Sequence, residues 1–313
     1  MSTNTNRSLI PVVCLFGPTA VGKTGLLEQL FAGSGEVISA DSMQVYRGMD
    51  IGTAKPDPET LTRLPHHLID ILDFTSQFNA GDFIRQADQA VRDIHSRGLL
   101  PVISGGTAFY FRNFLYGLPE IPVVPAGIRQ ELTERKDREG LSSLWEELGT
   151  ADPVTAGRIE PGDTTRIIRA LEVFLGTGRP LSSYSLPDKP RGEFRCLMLG
   201  LRRDREELYE RINLRVEIMF RQGLVREFLS LLRAGARPEH PGMKGIGYSE
   251  FFYLFENGCF TIEDVKDKIR QDSRRYAKRQ MTFFRSLPGV EWYHPDDIQD
   301  IRRRIESFAG KSS

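Results

Sequence analysis

Leu9-Ile10-Pro11-Val12-Val13-Cys14-Leu15-Phe16 runs into Gly17-Pro18-Thr19-Ala20-Val21-Gly22-Lys23-Thr24, and helical spacing follows at once from Lys23 to Phe31. An apolar run, a glycine-bounded loop and a helical pattern in that order predict strand, phosphate loop and helix. The loop matches G-x-x-x-x-G-K-[ST] in full and lies in the context that gives the pattern its meaning. Glycine at both ends lets backbone N–H groups converge on phosphate oxygens, and the helix N-terminus adds partial positive charge. Lys23 is expected to reach the outer phosphate and the Thr24 hydroxyl to ligate Mg²⁺. A bound diphosphate or triphosphate follows, with its chemistry left open.

Working outward, Glu36 to Ala40, His66 to Ile71 and Leu99 to Ser104 read as further strands, and Ala80 to Arg97 as an amphipathic helix. This alternation predicts an α/β fold with a P-loop-type, mostly parallel sheet flanked by helices. From Pro119 to Pro190 the strand signal disappears. Gly127 to Glu139, Leu141 to Leu148, Pro153 to Ile159 and Thr164 to Leu175 have helical spacing instead. Arg195 to Leu201 returns to the sheet, and helices resume over Asp204 to Gln222, Val225 to Arg233, Tyr248 to Asn257 and Thr261 to Ser286. The expected organisation is therefore a first part of the core over residues 1–118, a helical insertion domain over 119–190, and core completion with a basic helical part over 191–313.

The chain has 313 residues, 40% of them hydrophobic and 27% charged, which is the balance of a globular protein and excludes disordered and collagen-like classes. No secretion signal or membrane segment is expected. Cys14, Cys196 and Cys259 show no ligand spacing, so neither a disulfide framework nor a zinc site is expected, and a reducing cytoplasm fits. The zero net charge conceals −3 over residues 1–100, −2 over 101–190 and +5 over 191–313. Within 266–285, eight basic residues face Asp267 and Asp272, a net +6 that can hold an RNA backbone or merely coat a solvated helix.

A nucleoside triphosphatase would normally carry a metal-binding Asp at the end of a later strand. Leu100 to Ser104 ends instead in Gly105-Gly106-Thr107. The one apolar run that ends in Asp is Val37-Ile38-Ser39-Ala40-Asp41, which places Asp41 at the carboxyl end of a neighbouring strand, where active-site groups of open α/β sheets collect. Asp41 can act there as a general base, or it can simply cap a turn before Ser42. Asp41-Ser42-Met43-Gln44-Val45-Tyr46 also offers groups able to read a base edge: Gln44 can bond an adenine bidentately, and Tyr46 can stack or bond. His66 and His67, adjacent on a strand, point to opposite faces and make a poor metal pair.

These segments together resemble the tRNA isopentenyltransferase family of bacterial tRNA dimethylallyltransferases. The resemblance rests on Gly17 to Thr24, Asp41 to Tyr46, Asp50-Ile51-Gly52-Thr53-Ala54-Lys55-Pro56 and Pro65-His66-His67-Leu68. It extends through Gly105 to Thr107 with Tyr110, Asp163 to Glu172, Gly245 to Tyr248 and Tyr276-Ala277-Lys278-Arg279-Gln280. Val21, Ser249 and Phe283 depart from the residues usual there. The resemblance implies transfer of a dimethylallyl group from dimethylallyl diphosphate to the N6 amine of the adenine 3′ of the anticodon. Asp41 is then the general base, with Lys23, Thr24 and Mg²⁺ on the leaving diphosphate.

By the same resemblance Gly17, Pro18, Thr19, Ala20, Val21, Gly22, Lys23, Thr24 and Arg215 hold the diphosphate. Asp41, Ser42, Met43, Gln44, Thr107 and Arg129 meet the tRNA, as do Thr165, Arg166, Ile167, Ile168, Arg169, Lys244, Gly245, Ile246, Gly247, Tyr248 and Ser249. The implied partner is the anticodon stem-loop of tRNA, bound by a monomer with no membrane attachment. ATP can occupy such a loop without being consumed. Two competing readings remain at this point: a P-loop small-molecule kinase and a non-catalytic P-loop RNA-binding regulator.

Overall fold

A computed structural model describes residues 9–256, 258 and 261–310; Cys259 and the expected helix end at Asn257 lie outside them. The elements of the core run β1 (Ile10–Phe16), α1 (Lys23–Phe31), β2 (Gly35–Ser39), α2 (Pro58–Arg63), β3 (His66–His67), α3 (Ala80–Ser96), β4 (Leu100–Gly105) and α4 (Ala108–Tyr116). Four helices follow, α5 (Ala126–Glu139), α6 (Leu141–Ala151), α7 (Pro153–Ala156) and α8 (Thr164–Thr177). The chain then returns through β5 (Phe194–Leu201), α9 (Arg205–Gln222), α10 (Leu224–Arg233), α11 (Ser249–Glu256), α12 (Ile262–Arg285), β6 (Glu291–Tyr293) and α13 (Ile298–Ala309). Two compact units result, residues 1–115 with 191–313, and Tyr116–Pro190.

The larger unit is built on one six-stranded sheet of order β3-β2-β4-β1-β5-β6, parallel at every pairing. Such strands are covered on both faces, hence the unbroken apolar reading of β1 and β4. Val13, Leu15, Val37, Val102, Leu197 and Leu199 form one face of the core with α1 and α13. On the other face α3 packs against β1, β2 and β4, and Phe16 stacks on Phe284 of α12 beside Phe111 of α4. A capping box of Asn79 with Asp82 starts α3, and one of Thr261 with Asp264 starts α12.

β2 is not beside β1, contrary to the expectation for Asp41, because β4 is inserted between them. Strand β4 ends in glycine for a steric reason: a Cβ at Gly105 would collide with the Ala40 carbonyl. Ala40 in turn donates to Ser104 O at 2.7 Å and accepts from Thr107 N at 3.0 Å, so the ends of β2 and β4 are laced together. The strand expected over His66 to Ile71 stops after His67, since Leu68 and Asp70 take positive φ values of 64° and 55°. Helix α4 carries no sequence period, because Ala108, Tyr110, Phe111, Asn113, Phe114 and Leu115 bury it almost all round.

The second unit is wholly helical among its described residues. Leu132, Leu144, Leu148, Ile167, Ile168 and Leu171 make its core.

Candidate active site

A cavity of about 620 Å³ opens at the carboxyl ends of β1, β2 and β4 and is walled by α9 and α12. The phosphate loop forms its floor. Gly22, at φ 109°, precedes α1 with no side-chain cap, and the first helical turn holds no acidic residue, so its N–H groups remain open to an anion. Gln280 of α12 bridges the loop and β4: its Oε1 accepts from Thr19 N at 3.0 Å and its Nε2 donates to Gly106 O at 2.8 Å. Arg203, outside the cavity lining, donates to Val21 O at 3.0 Å, and Arg211, within it, donates to Ala20 O at 2.9 Å. Lys23 Nζ lies back on Gly17 O and Pro18 O, 2.9 Å from each.

Asp41 caps a turn and faces the cavity as well. Its Oδ1 accepts from Met43 N at 2.9 Å and Gln44 N at 3.3 Å, which caps the turn after β2, while the residue also lines the cavity. Oδ2 meets no protein donor among the described residues. Ser42 N donates to Thr107 Oγ1 at 3.0 Å, tying the turn to the end of β4. Gln44 does not offer a free amide to a base. Ser39 Oγ donates to its Oε1 at 3.1 Å, and its Nε2 donates to Thr53 O at 3.4 Å and Ala54 O at 3.2 Å. Tyr46 is buried in an apolar cluster with Val45, Met49 and Phe228 and does not line the cavity.

Charge in the cavity is lopsided. Lys23, Arg211, Arg215, Lys244 and Arg279 line it, and Asp41 is the one carboxylate among the described lining residues. Burial and the Arg215 guanidinium pull the Lys23 ammonium down to about 7, against the opposing effect of Asp41. Arg215 is likewise lowered by burial and supported by Asp41, and its one hydrogen bond among the described residues runs from Nη2 to Thr53 O at 3.5 Å. Two partly buried cations that repel one another and have no salt-bridge partner among the described residues form a site that gains from an arriving anion. Tyr276 is pushed up to about 12 by burial and by Asp41, so it stays neutral as a potential donor.

The IPP transferase family model matches residues 44–287. A tRNA dimethylallyltransferase of Geobacter sulfurreducens is 43% identical over 98% of this chain and 99% of its own length. This chain belongs to the IPP transferase family. A second tRNA dimethylallyltransferase, from Thermomicrobium roseum, is 44% identical over 95% of this chain and 91% of its own. Among solved structures, the tRNA isopentenylpyrophosphate transferase of Bacillus halodurans superposes with a TM-score of 0.68 at 38% identity, covering 97% of this chain and 98% of that one. A eukaryotic dimethylallyltransferase acting on tRNA gives 0.76 at 26% identity, covering 96% of this chain and 78% of its own. As a member of this family the chain is a tRNA-modifying prenyltransferase.

The residues expected at the site fall in different surroundings. Gly17, Pro18 and Val21 are buried, and Val21 packs into the core, so only its backbone can serve a ligand. Tyr248 is fully buried and donates its hydroxyl to Glu227 at 2.7 Å, so its side chain holds its loop. Gly247 is buried beside it, whereas Lys244, Gly245 and Ile246 line the cavity; half-buried Ser249 donates to Glu250. Ile167 and Ile168 are core residues of the helical unit, which leaves Thr165 and Arg166 as the exposed part of that stretch. Arg129 and Arg169 both bind Glu172.

Tyr276 lines the cavity with its hydroxyl 3.4 Å from Gly106 O, while Phe284 of the same helix is a core residue. Sequence reasoning did not single out Gln280, Arg203, Arg211 and Thr53. Gln280 had a signal, since it closes the segment Tyr276 to Gln280 that resembles the family. His67 binds Glu36 at 2.7 Å and His66 Nδ1 lies 2.7 Å from Leu64 O, so both rings have structural partners.

Proposed function

We propose that this enzyme transfers a dimethylallyl group from dimethylallyl diphosphate to the exocyclic N6 amine of the adenine 3′-adjacent to the anticodon. The observation that carries this reading is one cavity in which an uncapped phosphate loop and two acid-free cations face a single carboxylate, Asp41. In the reaction the N6–C1 bond forms and the C1–O bond to diphosphate breaks. The N6 proton passes to Asp41 Oδ2, and the negative charge that develops on the leaving oxygen falls to Lys23, Arg215 and the loop N–H groups. The adenine must leave its stack to enter.

Mg²⁺ typically takes one or two protein oxygens and completes its shell with phosphate oxygens and water, so the Thr24 hydroxyl of this cavity suits it. When bound it would supply further charge neutralisation on the diphosphate. The same reading takes the anticodon stem-loop as partner, a single chain as the working unit and the cytoplasm as the compartment. No helix among the described residues is long and apolar enough to cross a membrane.

The test is incubation with unmodified tRNA, dimethylallyl diphosphate and Mg²⁺, followed by nucleoside mass analysis and phosphate assay. Prenylated adenosine with stoichiometric diphosphate is expected. Release of ADP from ATP with no prenylated nucleoside would replace this reading with a kinase.

A further inference from the structure

We propose that Glu227, on α10 and outside the cavity lining, is a positioning residue for prenyl transfer, acting through the loop Asp50–Ala54; this rests on the roles proposed for Asp41 and Arg215. Its carboxylate gathers four donors. Oε2 accepts from Asp50 N at 2.9 Å and Ile51 N at 2.8 Å, and Oε1 accepts from Gly52 N at 3.0 Å and Tyr248 Oη at 2.7 Å. Three successive backbone N–H groups turned towards one anion form a nest, and bonds to a charged acceptor are among the stronger kinds in proteins. The clamp joins two loops that both line the cavity, since Gly52 lies so close under the Tyr248 ring that a Cβ there would collide with it.

The immobilised loop delivers its next two carbonyls to the site. Thr53 O accepts from Gln44 and from Arg215, and Ala54 O accepts from Gln44. Gln44 closes the turn whose first residue is Asp41, and its own backbone N–H is bound by Asp41 Oδ1. Glu227 therefore sets the base on one side of the cavity and the diphosphate cation on the other without touching either substrate. A displacement of about 1 Å in such a constellation can cost on the order of 10²-fold in rate.

Glu227→Gln keeps size and shape but places an amide donor where an N–H needs an acceptor. The experiment is single-turnover prenyl transfer with the full-length enzyme in excess and dimethylallyl diphosphate saturating, which separates the rate constant from the active fraction. We expect the rate constant to fall about 10- to 100-fold, with tRNA affinity within about twofold of wild type and partial recovery in Glu227→Asp. A lower amplitude at an unchanged rate constant would make Glu227 a plain loop anchor and overturn the proposal. In a double-mutant cycle with Gln44→Ala, the double variant should be little slower than the slower single one, because both cut the same tether. Losses that multiply overturn it. Asp41→Asn is measured alongside: a wild-type rate there refutes the assignment of the base, while Glu227 is still judged by its own rate constant.

Discussion

Asp41→Asn removes one function of this residue and leaves the other. The turn after β2 depends on Oδ1, which accepts from Met43 N and Gln44 N, and an asparagine Oδ1 can accept both. The change falls on the second oxygen, which becomes an NH₂ with no basicity. Losing a general base commonly costs about 10²- to 10⁴-fold, equivalent to roughly 2.7 to 5.4 kcal/mol in the barrier. The cavity charge gives a second, opposite expectation. Asp41 is its one described carboxylate against five cations, so neutralising it strengthens the attraction for diphosphate. The KM for dimethylallyl diphosphate should therefore stay level or fall while kcat collapses. Steady-state kinetics over both substrates, with thermal unfolding to verify the fold, reads both. A kcat near wild type, or a loss that appears entirely as a raised KM for the diphosphate, would refute the reasoning.

Three further outcomes are expected. Lys23 has its folded value lowered to about 7 from an ordinary 10.5, so between those values the unfolded chain binds the extra proton and the ligand-free protein gains stability as pH rises. A bound diphosphate needs the charged form, and inorganic diphosphate should raise Tm more at pH 6.5 than at pH 9, a difference that Lys23→Ala abolishes; an equal shift at both pH values contradicts the assignment. On α12, Lys266 and Arg270 are held by Glu217 and Glu263, Lys268 by Asp272, Arg274 by Asn213 and Arg275 more loosely by Asp272 at 3.6 Å, so the cations with no ion pair among the described residues lie towards its end. Replacing Arg275, Lys278, Arg279 and Arg285 with Gln should lower the salt slope of tRNA binding by roughly 0.7 to 0.9 per lost phosphate contact, while superimposable isotherms would show a merely solvated face. Glu36 is drawn down to about 2, chiefly by Arg97 and further by His67 against the effect of its burial. Glu36→Gln should cost about 1 to 3 kcal/mol at pH 7, and the wild-type margin over the variant should shrink as pH falls from about 4.5 towards 2, as urea melts at several pH values would reveal.

The phosphate loop was legible from sequence because backbone geometry and residue type coincide there: two glycines, a lysine and a threonine at set spacing admit few other uses. The helix spacing of α3, α9 and α12 was legible for a similar local reason, since one buried face repeats every turn. Helix α4 and strand β6 were not, the one because it is buried nearly all round and the other because it is three half-buried residues at a sheet edge.

Composition, motif and spacing by themselves determined an α/β core interrupted by helices, a glycine-bounded loop opening the first helix, and a lone carboxylate after the second strand. Tertiary structure alone decided strand order, which slides β4 between β1 and β2 and makes Gly105 obligatory against Ala40. It also decided which residues line the cavity: Tyr248 and Ile167 are buried away from it and Gln44 is already bonded, whereas Tyr276 and Arg211, not singled out as site residues, line it. The physical reason is that propensity and motif chemistry act over a few neighbouring residues. Burial, a saturated hydrogen bond or a clamp such as Glu227, 175 residues from Gly52, exists only once distant segments have packed together.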